Sequence, residues 1–268
     1  MRALALLAAV FVSLAGAAFA QQPDGPIPSS CIAMAGVLPK ATYVNLTPAQ
    51  ARGDGDVTIT YAGHSTYIIE TPGGVRVATD YSGVYGSDPL PRVATMNKAH
   101  RTHFTDAPDP AIEHVLRGWN PDGGPARHAV VVDDVYIRNV PTDIRRFDGM
   151  ERDGNSIFIF EVAGLCIGHL GHLHHDLEDA HYAAIGRLDV LMVPVDGGMT
   201  QSLVNMRDIT RRLYSSVVLP MHRHSTPLGE FTAMMGEGWT VDFRDSRSLT
   251  ISLRSLPGRP TIVVLQGV

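Results

Sequence analysis

The chain has 268 residues, 44% of them hydrophobic and 18% charged, which suits one well-packed domain of roughly 200–250 residues or two small ones and excludes a disordered chain, a coiled coil or a collagen-type repeat. A net charge of −5 offers no basic surface for nucleic acid, and two cysteines exclude a disulfide-dense scaffold and an all-cysteine zinc site. Histidine is the outlier: 12 are present, five of them between His169 and His181.

Residues 1–20 have the form of a secretory signal peptide: Arg2, an apolar run over 3–12, then Ala18-Phe19-Ala20 before Gln21. The strongly apolar part is short of the ~20 residues that a membrane span needs, so an N-terminal anchor is the weaker reading. The mature protein is therefore expected to be secreted or periplasmic, with no stable membrane anchor after cleavage. Residues 21–55, rich in Pro, Gly and Ala, read as an extension, and residues 56–268 as the folded domain. The compartment permits a disulfide. Cys31 lies in the extension, and Cys166 in an apolar run over 157–170 that reads as a buried strand. Either the two bridge and tie the extension to the core, or Cys166 is an inert core thiol.

Three β-rich runs follow at 57–61, 66–70 and 75–79, split by Gly63 and by Pro72-Gly73-Gly74, and predict an antiparallel meander. A fourth strand is expected at 92–97 and a helix over 110–117. Further strands are expected at 129–140 and 157–167. A helix is predicted at 177–185 with Asp176 as N-cap, then a strand at 190–195 running into Asp196-Gly197-Gly198. A helix at 202–214 precedes a strand at 217–220 that ends at Met221-His222. The last strands are expected at 249–253 and 261–265. Strands and helices alternate more clearly in the second half, which points to layered α and β structure rather than an all-β barrel.

Three histidine groups stand at predicted strand ends: His100 with His103; His169, His172, His174 and His175; and His222 with His224. Strand-end loops are where functional side chains gather, and imidazoles from distant segments can converge on zinc. A single such histidine is more often a hydrogen-bonded structural residue. Three groups, each following a β-run, favour a shared metal site.

Four segments carry a resemblance: Tyr61-Ala62-Gly63-His64-Ser65-Thr66, Leu165-Cys166-Ile167-Gly168-His169-Leu170-Gly171-His172-Leu173, residues 188–198 ending Asp196-Gly197-Gly198, and Val218-Leu219-Pro220-Met221-His222. In this order they resemble the metallo-β-lactamase superfamily, most of all its lactonase-like and phospholipase-D-like metal-dependent hydrolases. The resemblance implies an α/β fold, a four-layer αββα sandwich with the metal centre at one edge. The family's H-x-H-x-D-H loop falls on Lys98-Ala99-His100-Arg101-Thr102-His103, so Lys98 replaces the first His and Thr102 the Asp. Its next segment, H-x-G-D, falls on His169-Leu170-Gly171-His172, where His172 replaces the bridging Asp. His222 matches the closing His.

The resemblance implies metal-assisted hydrolysis of an ester, lactone, amide or phosphodiester in a small-molecule substrate, with zinc as the metal. The expected ligands are His100, His169 and His222, then His103 and His172. The lost aspartates favour one zinc ion over the usual pair. Lys98 and His172 are expected to act in catalysis, Lys98 by holding a substrate anion or developing negative charge; its bland alternative is a surface cation. Asp106 or Asp176, beside the histidines, could supply a missing carboxylate. His64 lies either near the site or in a structural turn, and Asp80 reads as a loop anchor. The competing function is a non-catalytic periplasmic protein that binds a metal or small molecule on the same fold through an eroded site.

Overall fold

The computed structural model describes residues 29–32 and 55–268. The expected signal peptide and most of the extension lie outside the described residues. In chain order the elements are β1 (Val57–Gly63), β2 (Thr66–Glu70), β3 (Arg76–Ala78), β4 (Val93–Met96), β5 (His114–Arg117), β6 (Ala129–Val132) and β7 (Val135–Arg146). These are followed by β8 (Gly149–Val162), β9 (Leu165–His169), α1 (Asp179–Ile185), β10 (Val190–Pro194), α2 (Leu203–Leu213) and β11 (Val217–Met221). The chain closes with α3 (Leu228–Met235), β12 (Thr240–Phe243), β13 (Ser248–Ile251), a short 3-10 turn at Leu253–Ser255 and β14 (Thr261–Val264).

The strands form two mixed sheets. A six-stranded sheet runs β13-β1-β2-β3-β4-β5, and an eight-stranded sheet runs β12-β14-β11-β10-β9-β8-β7-β6. The expected meander is present as antiparallel β1, β2 and β3, with β4 and β5 added in parallel. In the second sheet β9, β10 and β11 are parallel neighbours buried along their whole length, so they read as unbroken apolar runs rather than alternating ones. Ile59, Val77 and Val93 of the first sheet share one core with Ile137, Phe158, Phe160, Met192 and Leu219 of the second. Met206 and Ile209 of α2 and Phe231 and Met235 of α3 cover the outer face of the second sheet. Against the outer face of the first lie Tyr81, Ile112 and the half-buried Phe104 and Trp119, all from loops. Among the described residues that outer layer contains no helix.

Four expectations need correcting. Residues 110–117 are not a helix: Ile112 and Leu116 are buried, and the register Val93↔His114 to Met96↔Arg117 makes β5 an edge strand, so pairing overrides local propensity. Residues 129–140 are two strands hinged at Asp133, which takes a positive φ of 48°. Residues 157–167 likewise span a hairpin turned at Ala163 and Gly164. The N-cap of α1 is Glu178, in a reciprocal capping box with His181, rather than Asp176. The elements α3 and β12 were not anticipated.

Cys31 and Cys166 form a disulfide across a sequence separation of 135. Beside it Glu161 accepts hydrogen bonds from Ser29 Oγ, from Ser30 N (2.8 Å) and from Arg138 Nε (2.8 Å). Burial alone would raise the Glu161 pKa, but these donors outweigh it and hold it below the usual carboxylate range. Arg138 in turn donates to the carbonyls of Ala184 and Ile185, which fixes the end of α1. The described piece of the extension is thus clamped to the second sheet.

Candidate metal centre

Four loops converge at one edge of the sandwich. The β1–β2 turn brings His64 and Ser65, the loop after β4 brings His100 and His103, the end of β9 leads to His172, and the end of β11 supplies His222. Parallel pairing of β9, β10 and β11 puts their C-terminal ends side by side, so residues 169–172, Asp196 and His222 share this edge. His64, Asp80 and His222 have φ of 53°, 42° and 49°, a conformation costly for non-glycine residues. Their backbones are locked: His222 N–H donates to the His64 carbonyl (2.9 Å), as does the Tyr61 hydroxyl (3.1 Å).

His64, His100, His103 and His222 each offer a ring nitrogen, and these atoms all lie within 4.8 Å of one another. His100 Nε2 and His222 Nε2 are 3.3 Å apart. The outward nitrogens are held by the protein. His103 Nδ1 lies 2.6 Å from Asp80 Oδ2 and 3.0 Å from Ser65 Oγ. His222 Nδ1 lies 2.8 Å from Asp196 Oδ2, and His100 Nδ1 lies 2.8 Å from Thr102 Oγ1. Asp80 is itself aimed by Asn97, whose amide donates to Oδ1 (2.9 Å). Asp196 also accepts from Gly198 N, Thr200 N and Thr200 Oγ1. Burial would raise the Asp196 pKa; the His222 and Thr200 hydrogen bonds overcome this and hold it well below the carboxylate range. With Asp196 ionised, His222 donates from Nδ1 and turns its Nε2 lone pair inward. A carboxylate behind an imidazole is the usual support of a metal-ligating histidine.

Several of the nitrogens facing this space lack partners. His64 Nε2, His103 Nε2 and both ring nitrogens of His172 are buried with no hydrogen-bond partner in the protein. Burial, reinforced by the neighbouring imidazoles, pushes His64 down to about 4, His103 and His172 well below the ordinary value, and His100 below it. Buried polar atoms are almost always satisfied, so this concentration of lone pairs fits a divalent cation.

The structure brings His100, His103 and His222 together, adds His64, and sets His172 alongside. The His172 ring lies 5.1 Å from that of His100, 4.7 Å from His103 and 4.8 Å from His222. His169, an expected ligand, is not in the group: its Nε2 lies 2.8 Å from the Ser65 carbonyl and its Nδ1 accepts from Gly171 N at 3.1 Å. Lys98 is engaged elsewhere, its ammonium 2.5 Å from Glu151 Oε1. Asp106 is exposed, and Asp176 accepts from Gln201 Nε2. The carboxylates beside the histidines are instead Asp80 and Asp196. The Asp196-Gly197-Gly198 stretch after a buried strand carried that signal, as did Asp80 at the end of β3. Of the others, His174 is bound by Arg145 N and Met199 O, His224 is exposed, and His128 is half-buried on the Arg117 carbonyl rather than solvated. A cleft of about 760 Å³ opens over His100, His172 and His174, with Arg145, Arg146, Phe147 and Met199 in its walls.

A two-sheet sandwich with an imidazole cluster at one edge defines a metal-binding α/β protein. Residues 58–222 match the model of the Beta-lactamase superfamily domain, and the chain belongs to the metallo-β-lactamase superfamily. No curated protein sequence matches it. Among solved structures it is similar to a protein assigned as a Zn-dependent hydrolase of this superfamily from Thermotoga maritima, at 25% identity and TM-score 0.55, over 78% of this chain and 98% of that one. It also shares the fold of YhfI from Bacillus subtilis (9% identity, TM-score 0.51, 80% and 98% covered). The same holds for a protein assigned as a metal-dependent hydrolase from Parabacteroides distasonis (16%, TM-score 0.50, 68% and 90%).

Proposed function

We propose that the protein is an exported metal-dependent hydrolase of a small-molecule ester, lactone, amide or phosphodiester, with zinc as its metal. The observation that carries this reading is the four-imidazole group, in which the inward nitrogens of His64 and His103 are buried without a partner and those of His100 and His222 face each other. A bound divalent ion would supply a water acidified toward a pKa of ~7 and would polarise a carbonyl or phosphoryl oxygen. Asp80 and Asp196 hold the rings of His103 and His222 with their lone pairs inward. His172 contributes two unpartnered ring nitrogens to the cleft lining, placed to exchange a hydrogen bond with a substrate. Arg145 and Arg146, anchored on backbone carbonyls, line the cleft together with Asp148, whereas Lys98 does not, and this wall suits a substrate with a polar group. Phe147 and Met199 offer apolar surface to the remainder.

Export is supported by the signal-like residues 1–20 and by the Cys31–Cys166 disulfide, a bond at home in an oxidising compartment. The test is elemental analysis of the purified chain together with chelator-sensitive turnover on lactone, ester, amide and phosphodiester substrates. Bound metal with chelator-reversible turnover on one class is the expected result. Bound metal with no turnover on any class would instead favour the non-catalytic binding protein.

A further inference from the structure

We propose that His64 takes the place of His169 in the metal sphere, making the centre a four-imidazole site of His64, His100, His103 and His222 that holds a single divalent cation of the zinc, copper and nickel class. The proposal rests on the metal-binding part of the reading above and is independent of whether the protein turns over a substrate.

Donor geometry is the first argument. Nitrogens bound at ~2.0–2.1 Å in a tetrahedron are spaced about 3.3–3.4 Å apart. His100 Nε2 and His222 Nε2 already stand at 3.3 Å, and the whole group lies within 4.8 Å, so small ring rotations suffice. His64 brings a buried Nε2 with no other partner, and its backbone is fixed by the bonds that His222 N–H and Tyr61 Oη–H give to its carbonyl.

His169 is committed elsewhere. Its Nδ1 accepts from Gly171 N–H, so in the neutral ring the proton sits on Nε2 and is donated to the Ser65 carbonyl. Coordination would break two buried hydrogen bonds and leave the Ser65 carbonyl, between His64 and the start of β2, with only the longer bond from Thr79 Oγ1 (3.3 Å). The role that this arrangement gives His169 is to fix the β1–β2 turn that presents His64.

Charge sets the stoichiometry. The four ligands bring no negative charge. Both oxygens of Asp80 and both of Asp196 are taken by protein donors, so neither is free to bridge two ions. Thr102 and His172 stand where the resemblance puts aspartates. Two divalent ions at the roughly 3.5–4 Å spacing of a paired site would repel with no protein carboxylate between them to offset it. An all-imidazole sphere also selects zinc, copper or nickel over magnesium, calcium or manganese, which favour oxygen ligands.

The experiment titrates metal-stripped full-chain protein with Zn2+, Cu2+ and Mn2+ against a chromophoric chelator, for the native chain and for His64→Asn and His169→Gln. Asparagine tolerates the positive φ at position 64, and circular dichroism checks that each variant folds. The expected result is one Zn2+ or Cu2+ per chain and no Mn2+. His64→Asn should weaken zinc by about 100-fold or more, and His169→Gln, which keeps every ligand, by about tenfold. Retention of two equivalents, or the reverse order of the two variants, overturns the proposal. Should either variant fail to fold, 1H–15N spectra of the imidazoles in the zinc-loaded native chain decide. They should show a metal-bound nitrogen on His64 and a protonated, unbound Nε2 on His169, and the opposite pattern refutes the exchange. An ion held as proposed without turnover would sink only the hydrolase reading.

Discussion

Asp80 and Asp196 act on the centre through an imidazole each, and that indirectness makes them separable from the ligands. Asp196 receives His222 Nδ1 at 2.8 Å and three further donors, so Asp196→Asn weakens the support without removing a ring nitrogen. Loss of such support typically costs 10–100-fold in metal affinity. We expect Asp196→Asn to weaken zinc within that range, read by competition with a chromophoric chelator; unchanged affinity would remove Asp196 from the site. Gly171 tests the aim of Asn97. It has a φ of +62°, and a Cβ there would lie 2.3 Å from Asn97 Nδ2 and 2.5 Å from Asn155 Oδ1. Gly171→Ala must therefore displace the amide that aims Asp80 at His103. Destabilisation of about 2–3 kcal/mol is expected in urea unfolding, with weaker metal binding. A silent substitution would show that the Asn97 network can yield.

The long hairpin of β7 and β8 carries the walls of the cleft at one end and the anchor of the extension at the other. Its tip supplies Arg145, Arg146 and Phe147, while Arg138 and Glu161 further down bind α1 and Ser29 to Ser30. The disulfide adds a covalent tie on neighbouring β9. Closing so long a loop restricts the unfolded chain, and removing such a bond costs about 2–5 kcal/mol. Reduction, or Cys31→Ser with Cys166→Ser, should lower the denaturant midpoint accordingly while leaving metal stoichiometry unchanged, since the bond lies outside the imidazole group. An unaltered midpoint would mean that the Glu161 hydrogen bonds hold the segment without it.

The assembled centre makes the whole metal-free molecule acid-sensitive. His64, His100, His103, His172 and His174 all have folded pKa values below the ordinary 6.5, chiefly through burial. Above about pH 6.5 both folded and unfolded states keep these rings neutral, and stability is at its full value. As pH falls below about 6.5 the unfolded chain binds protons that the folded chain refuses, so stability drops; His64 contributes down to about 4. Urea midpoints of the metal-free protein at pH 7.5, 6.0 and 5.0 should fall in that order. Flat midpoints would mean that the rings take up protons in the folded state without loss.

Much of this was legible in the residues themselves. Runs such as Thr66–Glu70, Val190–Pro194 and Val217–Met221 announce strands because each alternates or stays apolar as its burial demands, and Ser202 marks the start of α2 by capping it. Histidines placed after such runs announced a metal edge, and the ordered motifs announced the superfamily. Other features depended on pairing at a distance: β5 is a strand because β4 lies beside it, and residues 129–140 divide because a turn returns β7 onto β6. The ligand set belongs to the same class. Whether His64 or His169 faces the cluster depends on a hydrogen bond from His169 to the Ser65 carbonyl, 104 positions away, and a linear sequence does not encode which lone pairs such a bond leaves free. Sequence determined which chemistry was present and at which strand ends; packing of the two sheets decided which nitrogens meet, because convergence is a property of the folded edge and of no single segment.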